Sequence, residues 1–408
     1  MANKFLTILA CICGVLNLLP AIAYTTDGPF VKIQGTQFTL DGYPFLFNGF
    51  NSYWLMHMAA GPEQDRNKVA NVLSEAAGNG LTVCRTWAFA DGGDRALQSS
   101  PGVYDEHVFQ ALDYVISEAN NHGIRLILSL VNNFDDFGGR AQYVKWARDA
   151  GTVLDSKDDF YKNELVKQYY ENHIKSVLTR INSITQMAYR DDPTIMAWEL
   201  INEPRCESDP SGRILHAWVQ EMAAYTKSID EKHLLEVGME GFYGNSIPEK
   251  QRYNPPGYSQ VGTDYIRTNL IKEIDFATIH AYPDLWLSSQ SEESQNEFAL
   301  QWIKSHLDAA RKILQKPLIF TEFGKSRKYP GFTEANRDIF LKTIYDTIYN
   351  LARSSNGCLA GGLIWQIFSE GMDSYSDGYE IVLTQASSTI NIIIKQAHAM
   401  FELANTVN

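Results

Sequence analysis

The stretch "MAWELINEPRC" (Met196–Cys206) begins as an apolar run and stops abruptly at Asn202-Glu203-Pro204. A short apolar run without in-out alternation is the pattern of a strand buried on both faces, as in a parallel sheet. Proline has no N–H to give to a ladder, so Pro204 marks where pairing ends and a loop begins. The strand therefore presents a carboxamide and a carboxylate at its carboxyl end. Glu199 shares parity with Glu203 and is expected to point the same way, one layer deeper. It is read as a buried, paired structural group, and Trp198 as core.

Working outward, the same kind of run recurs seven more times. The runs are Phe45–Asn51, Thr82–Phe89, Arg125–Val131, Leu234–Glu240, Phe276–Tyr282, Leu318–Gly324 and Gly361–Phe368. Helical patterns lie between most of them, at Gln64–Asn79, His107–His122, Lys162–Ala188, Gly212–Ile229, Gln295–Gln315 and Glu334–Arg353, and Ser388–Leu403 closes the chain. Strand–helix alternation implies parallel strands joined by crossovers. Eight such units predict an α/β fold, a (β/α)₈ TIM barrel, preceded by a short β-hairpin over Val31–Pro44. A single domain is expected over residues 24–408. No Gly-x-Gly-x-x-Gly follows the first run, which counts against a dinucleotide-binding sheet.

Composition narrows the partners. The 408-residue chain is 45% hydrophobic and 12% aromatic, with a formal net charge of -13 and no Lys/Arg run. That argues against nucleic acid or an anionic membrane as a partner. Lys4, the apolar "FLTILACICGVLNLL" and Ala21-Ile22-Ala23 form the pattern of a cleaved secretory leader, residues 1–23. The expected product is secreted, extracellular and monomeric, with no membrane contact after cleavage. Cys84, Cys206 and Cys358 remain after cleavage, an odd count without a zinc spacing. In a barrel Cys206 and Cys358 fall at opposite ends, beyond the roughly 7 Å that a disulfide spans. No disulfide, metal or cofactor is expected.

A barrel carries its site at the carboxyl ends of the strands. Those ends present Arg85 and Trp87, Asn132 and Asn133, Asn202 and Glu203, Glu240, His280 and Tyr282, Glu322, and Trp365. Taken singly, each has a plain structural explanation: a glutamate can cap, a histidine can be hydrogen-bonded core, and an asparagine pair can make a turn. Taken together they converge on one mouth. Two carboxylates facing each other are what glycoside hydrolysis needs, one as proton donor and one to attack or to activate water. Arg85 beside one would keep it ionised, while the other stays protonated. Trp87, Trp286, Trp365, Tyr53 and Trp54 are candidate surfaces for the apolar face of a pyranose.

The order "CRTWAF", "ELINEP", "IHAYPD", "TEFG" resembles glycoside hydrolase family 5, a family of TIM barrels with glutamates on strands 4 and 7. "NSYWLM", "VNNFDDFGGR", "NEPRCESDPSG", "EGFYG" and "EGMDSYSDGYEIVL" resemble its plant endo-β-1,4-mannanase branch. The resemblance implies Glu203 as acid/base and Glu322 as nucleophile of a retaining reaction. It also implies Asn202 at the sugar 2-hydroxyl, Arg85 and Tyr282 against Glu322, His280 near Glu203, and Trp365 as the floor. Leu285, in "YPDLWL", stands where the branch has a polar residue. The implied substrate is a β-mannan. A β-1,4-glucanase on the same machinery is the nearest alternative, because mannose and glucose differ only at one hydroxyl. A metal enzyme using Glu203, His280 and Glu322, and a non-catalytic sugar-binding protein, are the alternatives from other classes.

Overall fold

The computed structural model describes residues 28–385 and 387–407, so the leader pattern lies outside the described residues. Eight parallel strands carry the fold: β1 (Phe47–Asn51), β2 (Val83–Trp87), β3 (Arg125–Ser129), β4 (Ile195–Glu199), β5 (Leu234–Glu236), β6 (Ala277–Ala281), β7 (Leu318–Phe323) and β8 (Leu359–Ile364). Their spatial order is β5-β4-β3-β2-β1-β8-β7-β6, with β8 pairing in parallel to β1. Every residue in all eight is buried. This is why the strands read as unbroken apolar runs: helices cover one side and the barrel interior the other.

The seam between β5 and β6 is closed by single hydrogen bonds. Asp275 N donates to Leu235 O at 2.8 Å, and His280 N donates to Glu240 O at 2.9 Å. The strand expected over Leu234–Glu240 is shorter for a local reason. Gly238 has φ +92, and a Cβ there would stand 2.0 Å from Ile201 O. The chain turns inward at this glycine and leaves the ladder.

The expected hairpin is extended to three strands: Val31–Gln34 and Gln37–Leu40 turn at Gly35-Thr36, and the Asp41-Gly42 turn joins Gln37–Leu40 to Tyr43–Pro44. Its Phe38 ring meets Phe276 edge-on at 5.2 Å, against the end of the barrel away from the site. The long helix expected over Lys162–Ala188 stops at Leu178. Beyond it, Asn182 Oδ1 accepts from Ile184 N and Thr185 N, and Asp113 Oδ2 accepts from Ser183 N, so side chains take over the backbone donors. The helix Gly139–Asp149 was not expected, since Gly138-Gly139 reads as a loop. The carboxyl-terminal helix Ser387–Ala404 ties back through Ile393 O, which accepts from Asn48 Nδ2 of β1 at 3.2 Å. Among the described residues no helix is long and apolar enough to cross a membrane.

Cys84, Cys206 and Cys358 are buried and unpaired. Burial pushes the Cys206 and Cys358 thiols up to about 11, which suppresses the reactive thiolate. The native protein should therefore resist an aromatic disulfide reagent at neutral pH. After denaturation without reductant, titration should release three thiols per mature chain.

Candidate active site

Arg85, on β2, lies at the centre of the barrel mouth and is fully buried. All five of its N–H groups are used. Nε donates to Glu199 Oε2 at 2.6 Å, and Nη2 donates to Glu199 Oε1 and to Asn202 Oδ1, both at 2.7 Å. Nη1 donates to Glu322 Oε1 at 2.5 Å and to Asn51 Oδ1 at 3.2 Å. One planar cation thus fixes side chains from β1, β4, β7 and the exit of β4. A guanidinium suits this task because its donors form a rigid fork. Glu199 is the paired structural group its parity indicated, and it takes the bidentate contact.

Glu322 Oε2 accepts from Tyr282 OH at 2.5 Å, so both its oxygens are held. Glu203 lies past the end of β4, where its backbone takes φ +52 and its N–H donates to Gly238 O at 2.9 Å. This left-handed turn aims the carboxyl across the mouth. Its Oε1 lies 2.6 Å from Nδ1 of the fully buried His280, which also lies 3.5 Å from Glu322 Oε2. One oxygen of Glu203, one oxygen of Glu322 and a ring nitrogen of His280 all lie within 4.8 Å of one another.

Burial raises both carboxyl groups above the usual range. For Glu322 the rise is opposed by His280, Arg85 and the Tyr282 hydrogen bond. For Glu203 it is opposed by Arg205 and Arg85. The Glu203 charge adds to the rise at Glu322. Glu322, with two fixed donors, is the better host for the negative charge. Burial lowers His280, which favours the neutral imidazole. A cation at Glu203, His280 and Glu322 would have to compete with the Arg85 guanidinium already there.

The aromatic candidates divide. Tyr53 stacks on Trp365, 5.7 Å between centroids at 12°, and Trp87 lies 6.2 Å from Trp365. These three line one side of the mouth. Trp286 packs among Phe242, Tyr282 and Trp302 on the opposite side and is nearly buried. Trp54 is a correction. It is fully buried, with its indole N–H given to Ile367 O at 3.1 Å and its ring against Phe368, so it faces the core and not the mouth. Its neighbour Tyr53 instead packs on Trp365 and Trp87, because the chain turns here from β1 into the helix Leu55–Ala59.

Several site groups were not singled out in the sequence. Asp377 Oδ2 accepts from Trp365 Nε1 at 2.6 Å and from Gln366 Nε2 at 2.8 Å, which fixes the Trp365 ring. Asp284 accepts from Leu285 N, Tyr379 OH and Ser326 N, joining the loops after β6, β7 and β8. Arg205 pairs with Glu240 and lies over Tyr258, with the ring centre 5.2 Å away. The signal that could have marked them is their place inside the stretches "IHAYPD", "EGMDSYSDGYEIVL" and "NEPRCESDPSG". Asn132 and Asn133 do more than turn the chain: Asn132 Oδ1 accepts from Asn202 Nδ2, and Asn133 Oδ1 from Arg205 N.

A family model described as "GH family 5 beta-mannosidase-like" matches residues 28–372. The chain belongs to glycoside hydrolase family 5. It is 59% identical over 403 residues to "Mannan endo-1,4-beta-mannosidase 5" of Solanum lycopersicum, covering 99% of this chain and 96% of that one. It is 54% identical to "Mannan endo-1,4-beta-mannosidase 7" of Arabidopsis thaliana, over 92% of this chain and 86% of that one. Among solved structures, an endo-1,4-beta-mannanase from Rhizomucor miehei superposes with a TM-score of 0.76 at 34% identity, covering 91% of this chain and 99% of that one. An endo-beta-1,4-mannanase from Thermotoga petrophila gives 0.75 at 33%, over 87% of this chain and 77% of that one. The family 5 barrel and the strand 4 and strand 7 glutamates thus coincide in one chain.

Replacing Arg85 by Lys leaves three donors for five acceptors. Turnover should fall on the order of 10²–10³-fold. Thermal unfolding should shift to lower temperature, because an ammonium cannot reproduce the bidentate contact that Glu199 receives.

Proposed function

We propose that this chain is a secreted, retaining endo-hydrolase of the internal β-1,4-mannosidic bonds of mannan, galactomannan and glucomannan. The observation that carries the stereochemical part is the short separation of Glu203 and Glu322, with one oxygen of each within 4.8 Å of the other. Retaining pairs lie roughly 5–5.5 Å apart, while inverting pairs leave room for a water at roughly 6.5–9.5 Å. The substrate class rests on the mannan endo-1,4-beta-mannosidases to which the chain is similar. The extracellular location rests on the leader pattern.

In this reading Glu322 attacks the anomeric carbon while Glu203 protonates the departing glycosidic oxygen. The products are a glycosyl ester on Glu322 and a freed sugar chain. Glu203, now a carboxylate, takes a proton from water as the water oxygen attacks the same carbon, and Glu322 leaves. A sugar hydroxyl in place of water gives transglycosylation. Arg85 and Tyr282 hold Glu322 ionised and oriented. Asn202, fixed by Arg85 and Asn132, is set to meet the 2-hydroxyl. Trp365 forms the floor beneath the ring. Tyr53 and Trp87 extend that aromatic surface, and Trp286 closes the far side. No metal or cofactor enters these steps, so activity should survive a strong chelator.

The first-formed reducing end, followed by proton NMR, should appear as the β anomer. Early α product would overturn the double displacement. Reducing ends should be released from galactomannan and not from carboxymethyl-cellulose; the reverse would favour the glucanase alternative, and binding without release the sugar-binding one. Glu322→Ala should abolish turnover while leaving the thermal transition in place. Glu203→Gln should lose far more activity on polysaccharide than on aryl mannosides, whose leaving groups need little protonation. Equal losses on both would count against Glu203 as the acid.

The pH dependence follows with its sign. Glu322 must be ionised, so kcat/KM falls as pH drops through its pKa. Glu203 must be protonated, so kcat/KM falls again as pH rises through its pKa, which burial moves upward. The profile should be bell-shaped, and Glu203→Gln, assayed on an aryl mannoside, should lose the alkaline limb.

A further inference from the structure

Beneath the catalytic pair lies a second carboxyl that the steps above leave unused. Glu236 of β5 is paired in register with Glu199 of β4, so both side chains enter the barrel in the same layer. Both are fully buried. Glu236 Oε2 accepts from Gly238 N and, at 3.3 Å, from Thr278 Oγ1. Among the described residues its Oε1 meets no donor. Arg85, the cation that bears on it, has already committed all five N–H groups to Glu199, Glu322, Asn202 and Asn51. An ionised Glu236 would thus be a buried charge with no counter-charge, which is strongly disfavoured. The Glu236 and Glu199 side chains are register neighbours on adjacent strands, and a hydrogen bond between two carboxyls requires a proton on one of them.

We propose that Glu236 is a neutral carboxylic acid that donates a hydrogen bond to Glu199, and that it acts as a positioning residue for Arg85 and, through Arg85, for Glu322. A proton on Oε1 turns that oxygen into a donor, and Glu199, its register neighbour, offers acceptor lone pairs. It also sets the charge of the layer: Arg85 and Glu199 cancel, and Glu236 adds nothing. The charged or titratable groups that bear on Glu236 are Arg85 from β2, Glu199 from β4 and Tyr265 from the helix Tyr265–Asn269. Burial and the Glu199 charge both push Glu236 well above the usual carboxylate range. Burial also pushes Glu199 up, but the Arg85 guanidinium outweighs it and holds Glu199 below that range. This divergence of two adjacent carboxyls is the pattern of a shared proton.

The positioning role rests on Glu322 being the nucleophile; the protonation state does not. Two substitutions separate them. Glu236→Gln keeps a donor for Glu199 and an acceptor for Gly238 N, so kcat/KM should stay within about threefold of the wild type with both pH limbs unmoved. Glu236→Leu removes the donor, loosens Glu199 and Arg85, and leaves Glu322 less stabilised as an anion. Its kcat/KM should drop about tenfold or more, and the acid limb should move to higher pH by roughly half a unit or more. Infrared difference spectra of wild type minus Glu236→Gln at neutral pH should show a protonated-carboxyl C=O band. That readout stands even if Glu236→Leu does not fold. Absence of the band would overturn the neutral acid, and so would a Glu236→Gln loss as large as that of Glu236→Leu. A band present together with a Glu236→Leu profile and kcat/KM equal to wild type would overturn the positioning role alone.

Discussion

Everything at the mouth of this barrel depends on one guanidinium with no spare hydrogen. Arg85 gives its five N–H groups to Asn51, Glu199, Asn202 and Glu322, and these come from the first strand, the fourth strand and its exit, and the seventh. A buried cation is tolerable only if it is paired and fully hydrogen-bonded. Here that requirement and the chemistry coincide. The group that neutralises the buried charge of Glu199 also orients Glu322, and of the two carboxamides that accept its remaining N–H groups, Asn202 is the one proposed to meet the sugar.

A second constraint acts on the other carboxylate. Glu203 is aimed by the backbone, through a left-handed turn whose N–H donates to Gly238 O. Gly238 in turn has no room for a side chain beside Ile201 O. The residue that shortens the fifth strand is therefore the one that seats Glu203. His280 then bridges the two carboxyls, and burial keeps it neutral enough to accept or donate at Glu203 without cancelling the charge of Glu322.

Much of this was legible in the linear order. Continuous apolar runs marked all eight strands because each is buried on both faces, and their polar ends marked the mouth. The parity of Glu199 with Glu203 placed one in the barrel and one at its rim. The readings that failed were those in which side chains override the backbone pattern. Asn182 and Asp113 end the helix that hydrophobic spacing extends toward Ala188. Trp54 looks like a platform beside Tyr53, but the chain turns here into the helix Leu55–Ala59, and its indole reaches Ile367 O instead. Asp284, Asp377 and Arg205 lay inside recognisable motifs, but a loop residue has no periodicity to show which partner it meets.

The sequence by itself determined the alternation of strands and helices, the identity of the two glutamates and the residue types around them. These are properties of local pattern and of motif order, and they survive without coordinates. Only the tertiary structure decided which carboxyl takes the bidentate arm of Arg85, how close Glu203 lies to Glu322, and that Glu236 stands beside Glu199 with no cation left to share. Those are contacts between strands separated by dozens of residues. Their energies depend on distance and burial, and neither quantity exists until the barrel has closed.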